Sequence, residues 1–146
     1  MAKKEVKHKI IYSIIRHHPE FLVRDILQVM IGASILAIPV GFTEETWELG
    51  GSLPWQNVLG LFLLSVIFIS TFVYYHYYGR TGLKTHFYEF LKRVISTYVL
   101  SFLVVAVILT LIQRTPWTMD LALAVKRVVI VAFPSSMSAV VADVIR

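Results

Sequence analysis

Val58-Leu-Gly-Leu-Phe-Leu-Leu-Ser-Val-Ile-Phe-Ile-Ser-Thr-Phe-Val-Tyr-Tyr75 runs for eighteen residues without a formal charge. At ~1.5 Å of rise per helical residue it measures ~27 Å, close to the ~30 Å hydrocarbon thickness of a bilayer. Its β-branched residues do not make it a strand, because a lone strand in lipid leaves its backbone donors and acceptors unsatisfied. The stretch therefore reads as a transmembrane helix, and the rest of the chain is read around it.

Three further apolar runs flank it. Ile26 to Phe42 is uncharged and long enough to span if Arg24 and Asp25 lie at the interface. Val94 to Ile112 is bracketed by Lys92-Arg93 and Arg114, and Val128 to Ile145 carries Pro134-Ser-Ser-Met-Ser138 in its middle. The expected fold is an all-α integral membrane protein of one domain, with four transmembrane helices at approximately 22–46, 54–78, 94–113 and 120–145. Composition agrees: 57 % of residues are apolar and only 16 % charged, against roughly 25 % charged in a soluble domain. With no cysteine there is no disulfide framework, thiolate metal site or cysteine nucleophile. The net charge of +5 sits beside apolar runs, as topology signals do, and does not point to nucleic acid.

Orientation follows from where the cations fall. Lys3, Lys4, Lys7, Lys9, Arg16 and Arg24 precede the first span, Arg80, Lys84, Lys92 and Arg93 follow the second, and Arg146 ends the sequence. Those eleven share one side, against Arg114, Lys126 and Arg127 on the other, so both termini are expected in the cytoplasm of a prokaryotic cell. Trp47, Trp55 and Trp117 fall at the outer boundary, and Tyr74, Tyr75, Tyr77 and Tyr78 at the inner one. Residues 4–18 place Val6, Ile10, Ile11, Ile14 and Ile15 at helical spacing among cations. This is the pattern of an amphipathic helix lying on anionic headgroups.

The most informative polar segment is Pro39-Val-Gly-Phe-Thr-Glu-Glu-Thr-Trp-Glu-Leu-Gly50. If the first helix continues past Phe42, Pro39, Thr43, Trp47 and Gly50 share a face and Glu45 lies beside Gly41 and Glu48. Trp47 would sit at headgroup level, and Gly50-Gly51 reads as a helix stop. The spacing P-x-x-x-T-x-E-x-W-x-L-G, carried by Pro39, Thr43, Glu45, Trp47, Leu49 and Gly50, resembles the signature of a family of integral membrane proteins catalogued as domain of unknown function 2391. The likeness reaches back to Arg24 and Gly32 and forward through Pro54-Trp55. It implies a polytopic membrane protein, supplies no activity, and suggests that the carboxylate at Glu45 can sit within an apolar helix end.

The candidate functional residues are polar groups in or beside apolar runs, weighed against plainer roles. Glu44, Glu45 and Glu48 read either as a solvated loop or, repeated around a homo-oligomer, as an acidic ring selecting cations with help from Thr43. Asp25 and Gln28 read as a local Arg24–Asp25 ion pair or as the inner end of a polar path. Lys126 and Arg127 lie either on the surface before a span that starts at Val128, which is the preferred reading, or inside one helix from Met119 to Val141 and opposite Glu45 or Glu48. Pro134 to Ala139 reads as an unwound cavity lining or as tight packing. No H-E-x-x-H, nucleophile elbow or Walker loop is present, so no enzyme and no cofactor is expected. The leading expectation is an oligomeric cation channel or transporter (H⁺, K⁺, Na⁺ or Ca²⁺) with an acidic outer mouth, its partners being lipids and further copies of itself. The alternative is a non-transporting scaffold or accessory subunit, and a lipid-acting membrane enzyme comes third.

Overall fold

The structure, a computed structural model, describes residues 23–78 and 83–145. The amphipathic segment expected at 4–18 lies outside them. All regular elements among the described residues are helical: α1 (Val23–Gly41), α2 (Glu44–Ser52), α3 (Trp55–Val73, continued by a π-helical turn Tyr74–Tyr78), α4 (Leu83–Leu111) and α5 (Leu121–Val144). Four of them, α1, α3, α4 and α5, are long and apolar enough to cross a membrane. Their ends gather at two levels. The start of α1, the end of α3, the start of α4 and the end of α5 form the terminal end, and the opposite level, bearing Trp47, Trp55 and Trp117, is the tryptophan end.

Each spanning helix buries a stripe of residues four apart, and α5 buries further faces as well. On α1 it is Asp25, Val29, Ala33, Ala37 and Gly41; on α3, Ser65, Ile69 and Val73. On α4 it is Arg93, Thr97, Ser101, Val105 and Leu109; on α5, Val131, Ser135, Ala139 and Asp143. Residues at this spacing share a helix face, and facing lipid costs the remaining leucines, isoleucines and phenylalanines nothing. The fifth helix is the centre of the bundle: 56 % of its span positions are buried, against 22 to 28 % in the other three. Its valines, alanines and serines suit that place, because small side chains let helices approach closely. The approach is tightest at Gly32, where an added Cβ would come within 2.5 Å of Ala142 Cβ and 2.9 Å of Ser138 O.

Several boundaries differ from the sequence reading. The first helix does not run on past Phe42: it ends at Gly41, and Thr43 starts the separate helix α2 in an extended conformation. The Thr43 hydroxyl bonds to Val40 O and meets the Thr46 hydroxyl, while Glu44 and Glu45 occupy the first turn of α2, where the helix dipole favours negative charge. Gly50-Gly51 do not stop that helix, which reaches Ser52. The helix α4 starts at Leu83, so Lys92 and Arg93 lie within it. It closes on Gln113, whose φ of 57° lets Arg114 N–H reach back to Leu109 O.

The last span does not start at Val128 either. Asp120 caps α5 by accepting from Leu123 N–H at 2.9 Å, so one continuous helix contains both cations. The helix also passes through Pro134 without unwinding, and Ser135 and Ser136 are buried, their hydroxyls donating to the carbonyls of Val131 and Phe133. Tight packing, not a cavity lining, accounts for that segment.

Candidate functional site

Followed to the terminal end, the stripes of α1, α4 and α5 finish in ionisable side chains, and the stripe of α3 runs on by one step of four into Tyr77. Arg93, 1 % exposed, projects from α4 between Asp143 of α5 and Asp25 of α1, which are 0 % and 1 % exposed. Its Nε donates to Asp143 Oδ2 at 3.1 Å, and Nη2 donates to Oδ1 and Oδ2 at 2.9 and 2.8 Å. This bidentate engagement, through one edge of the guanidinium, is a strong form of carboxylate recognition by arginine. The same Nη2 lies 3.4 Å from Asp25 Oδ2 and donates to the Tyr77 hydroxyl at 2.8 Å. Tyr77 in turn donates toward Asp143, and its ring centroid lies 3.9 Å from the guanidinium carbon, a cation–π contact. Four spanning helices thus meet in one group of charges shielded from solvent.

Polar groups continue inward from this cluster. Thr97 and Ser101 follow Arg93 along α4, both fully buried; Ser101 donates to Thr97 O at 2.7 Å. Gln28 lies one turn beyond Asp25. Gln28 Oε1, Thr97 Oγ1 and the Tyr98 hydroxyl are buried without a hydrogen-bond partner among the described residues. Toward the tryptophan end the core becomes apolar, where Ala37, Val105, Leu109, Val128, Val131 and Ala132 pack together at 0 % exposure. The buried charges are thus confined to the terminal half, where apolar clusters around Val73, Val94 and Val140 and around Val29, Ala33 and Ala139 pack beside them.

The residues singled out from the sequence divide between the two ends. Asp25 joins the cluster, and its partner is Arg93, sixty-eight positions away, while the neighbouring Arg24 is exposed. Thr43, Glu44, Glu45 and Glu48 are all exposed beyond the far end of α1, whose last residue, Gly41, lies about 24 Å from Asp25 by helical rise. A single chain does not draw Glu45 into the bundle. Lys126 and Arg127 are half-buried at that same end and face carbonyls instead of Glu45 or Glu48: Lys126 Nζ donates to Leu53 O at 2.9 Å and Arg127 Nη1 to Arg114 O at 2.6 Å.

Of the motif residues, Trp47 and Gly50 make packing contacts at this end. Pro39 is exposed, Trp47 Nε1 donates to Gly41 O at 2.9 Å, and Gly50 is buried where a Cβ would stand 2.5 Å from Arg127 Cγ. Arg93, Asp143 and Tyr77 were not singled out from the sequence. The available signal was the four-residue spacing that links Arg93 to Thr97 and Ser101, and Asp143 to Ala139 and Ser135. No group of three or more His, Asp or Glu suited to a metal ion occurs among the described residues.

A bundle of four apolar helices around an internal ion cluster defines a polytopic α-helical membrane protein. The chain belongs to the family described as "Putative integral membrane protein (DUF2391)", whose profile matches residues 2–145. No curated protein and no solved structure matches it.

Proposed function

We propose that the protein is an oligomeric transporter or channel for a small cation, H⁺, K⁺, Na⁺ or Ca²⁺, with the Asp25–Arg93–Asp143 cluster as its internal site. The observation that carries this reading is the placement of two carboxylates and a guanidinium, each at most 1 % exposed, inside a membrane-spanning bundle. Ionisable groups at such positions are costly and typically mark ion pathways or proton relays. The hydroxyls of Thr97 and Ser101 and the amide of Gln28 extend the polar region toward the middle of the bundle. On the opposite surface Thr43, Glu44, Glu45 and Glu48 are exposed together on or beside α2, and copies of α2 around an oligomer would form an acidic ring that concentrates cations. The cation excess at the terminal end supports placing that end in the cytoplasm, with the acidic surface outside.

Flux of the four cations from proteoliposomes tests the reading. Wild type should exceed empty liposomes, Tyr77→Phe should slow flux while keeping the ring in place, and Glu45→Gln should lower it about tenfold by removing electrostatic concentration. Unchanged flux in Glu45→Gln removes the acidic ring. Wild-type flux equal to that of empty liposomes removes transport altogether.

A second reading, a non-transporting accessory subunit, is favoured by the apolar packing of Val105, Leu109, Val128 and Val131, which closes the tryptophan half of the bundle. Under it the ion cluster pins the four helices, and purified protein conducts nothing.

A further inference from the structure

The tryptophan end carries a second group of charges, of one sign. Arg114 lies in the loop after α4, and Lys126 and Arg127 lie on α5. Arg127 Nη1 donates to the Arg114 carbonyl at 2.6 Å, which brings the Arg127 guanidinium to the backbone of Arg114. The Arg114 guanidinium carbon sits 3.5 Å from the Trp47 ring centroid, and Lys126 Nζ is 5.3 Å from that of Trp55. Gly50 provides the space through which the Arg127 side chain passes.

None of these three cations has a carboxylate within ion-pair distance among the described residues, although Glu44, Glu45 and Glu48 lie on the adjoining helix. Their polar contacts are two backbone carbonyls, and Arg127 Nε is buried without an acceptor. Cations that find only carbonyls and ring faces, two of them half-buried, still attract an anion.

The surroundings indicate which anion. Trp55, half exposed, and the strongly exposed Leu111, Met119 and Leu121 surround this end. An aromatic side chain beside exposed aliphatic ones is the setting of the membrane interface, where the abundant anion is the phosphodiester of a lipid. We propose that Arg114, Lys126 and Arg127 form a binding site for the phosphate of an anionic phospholipid, with Trp47 and Trp55 holding the cations at headgroup depth. Arginine matches phosphate through paired N–H donors and lysine adds a point charge, the combination found in basic lipid-headgroup pockets.

The full chain in mild detergent, titrated with phosphatidylglycerol and followed by native mass spectrometry, tests this. Wild type should retain phosphatidylglycerol in preference to phosphatidylcholine. Lys126→Gln/Arg127→Gln should weaken retention at least about tenfold, the loss of two charge-assisted contacts. Arg114→Gln, at an exposed side chain, keeps the test open should the double variant fail to fold, and should weaken retention about threefold or more. Lys92→Gln, exposed at the other end, should bind like wild type. Competition by millimolar inorganic phosphate would keep the phosphate site but assign it to a soluble anion; failure to compete assigns it to lipid. Retention within about twofold of wild type in both the double variant and Arg114→Gln, or an equal loss in Lys92→Gln, overturns the proposal.

Discussion

Arg93 is the residue on which most of the bundle depends, because it touches the other three spanning helices. Removing one partner of a buried, hydrogen-bonded charge pair costs about 3–5 kcal/mol, since the remaining charge stays desolvated. Asp143→Asn should lower thermal stability by an amount in that range, while Glu48→Gln, at an exposed position, should change it by less than about 0.5 kcal/mol. A melt followed by circular dichroism compares the two, and equal effects would show that the cluster contributes nothing special. The glycines supply a second contrast. Gly32→Ala drives a methyl into backbone and side chain of α5 and should destabilise by about 1–3 kcal/mol. Gly51→Ala meets nothing within 4 Å and should be neutral or stabilising by up to about 1 kcal/mol. Asp25 stood out in the sequence because a carboxylate beside an apolar run is conspicuous alone. Arg93 did not, because a cation at the edge of an apolar run is normally an interfacial flank, and only its partner on α5 reveals that it points inward.

Among the elements, α2 gives the family motif its structural meaning. Trp47 fastens α2 to the end of α1 through Gly41 O and supports Arg114, while Gly50 seats Arg127. Trp47→Phe should therefore leave the four long helices in place yet increase cleavage of the 42–54 segment by added protease, and an unchanged cleavage rate would deny Trp47 that role. The turn after α4 offers a gain in stability. Gln113 holds a left-handed conformation that costs a side-chain-bearing residue about 1 kcal/mol, so Gln113→Gly should raise the melting temperature. The four long helices were legible because length and apolarity are local properties. The break at Phe42–Thr43 was not: the apolar run continues to Phe42 and the span was expected to reach 46, yet the helix passes Pro39 and stops at Gly41. The course of α5 through Lys126 and Arg127 was likewise hidden, because the acceptors that make those cations tolerable, Leu53 O and Arg114 O, come from distant parts of the chain.

For the whole molecule, the sequence lacks cysteine, so single cysteines introduced at Glu48, Asp120 or Lys92 report position in the membrane without background. With the terminal end cytoplasmic, a membrane-impermeant maleimide should label the first two in intact cells and Lys92→Cys after permeabilisation only. The reverse pattern would invert the topology and place the acidic surface inside. The central place of α5 also bears on biogenesis. A ribosome delivers α1, α3 and α4 to the bilayer before the helix they pack around exists, so Arg93 meets Asp143 only after those three spans have been made. Until then the nascent protein is a loose set of segments, and a stop codon introduced at Pro134 should yield a product that quality-control proteases clear rapidly.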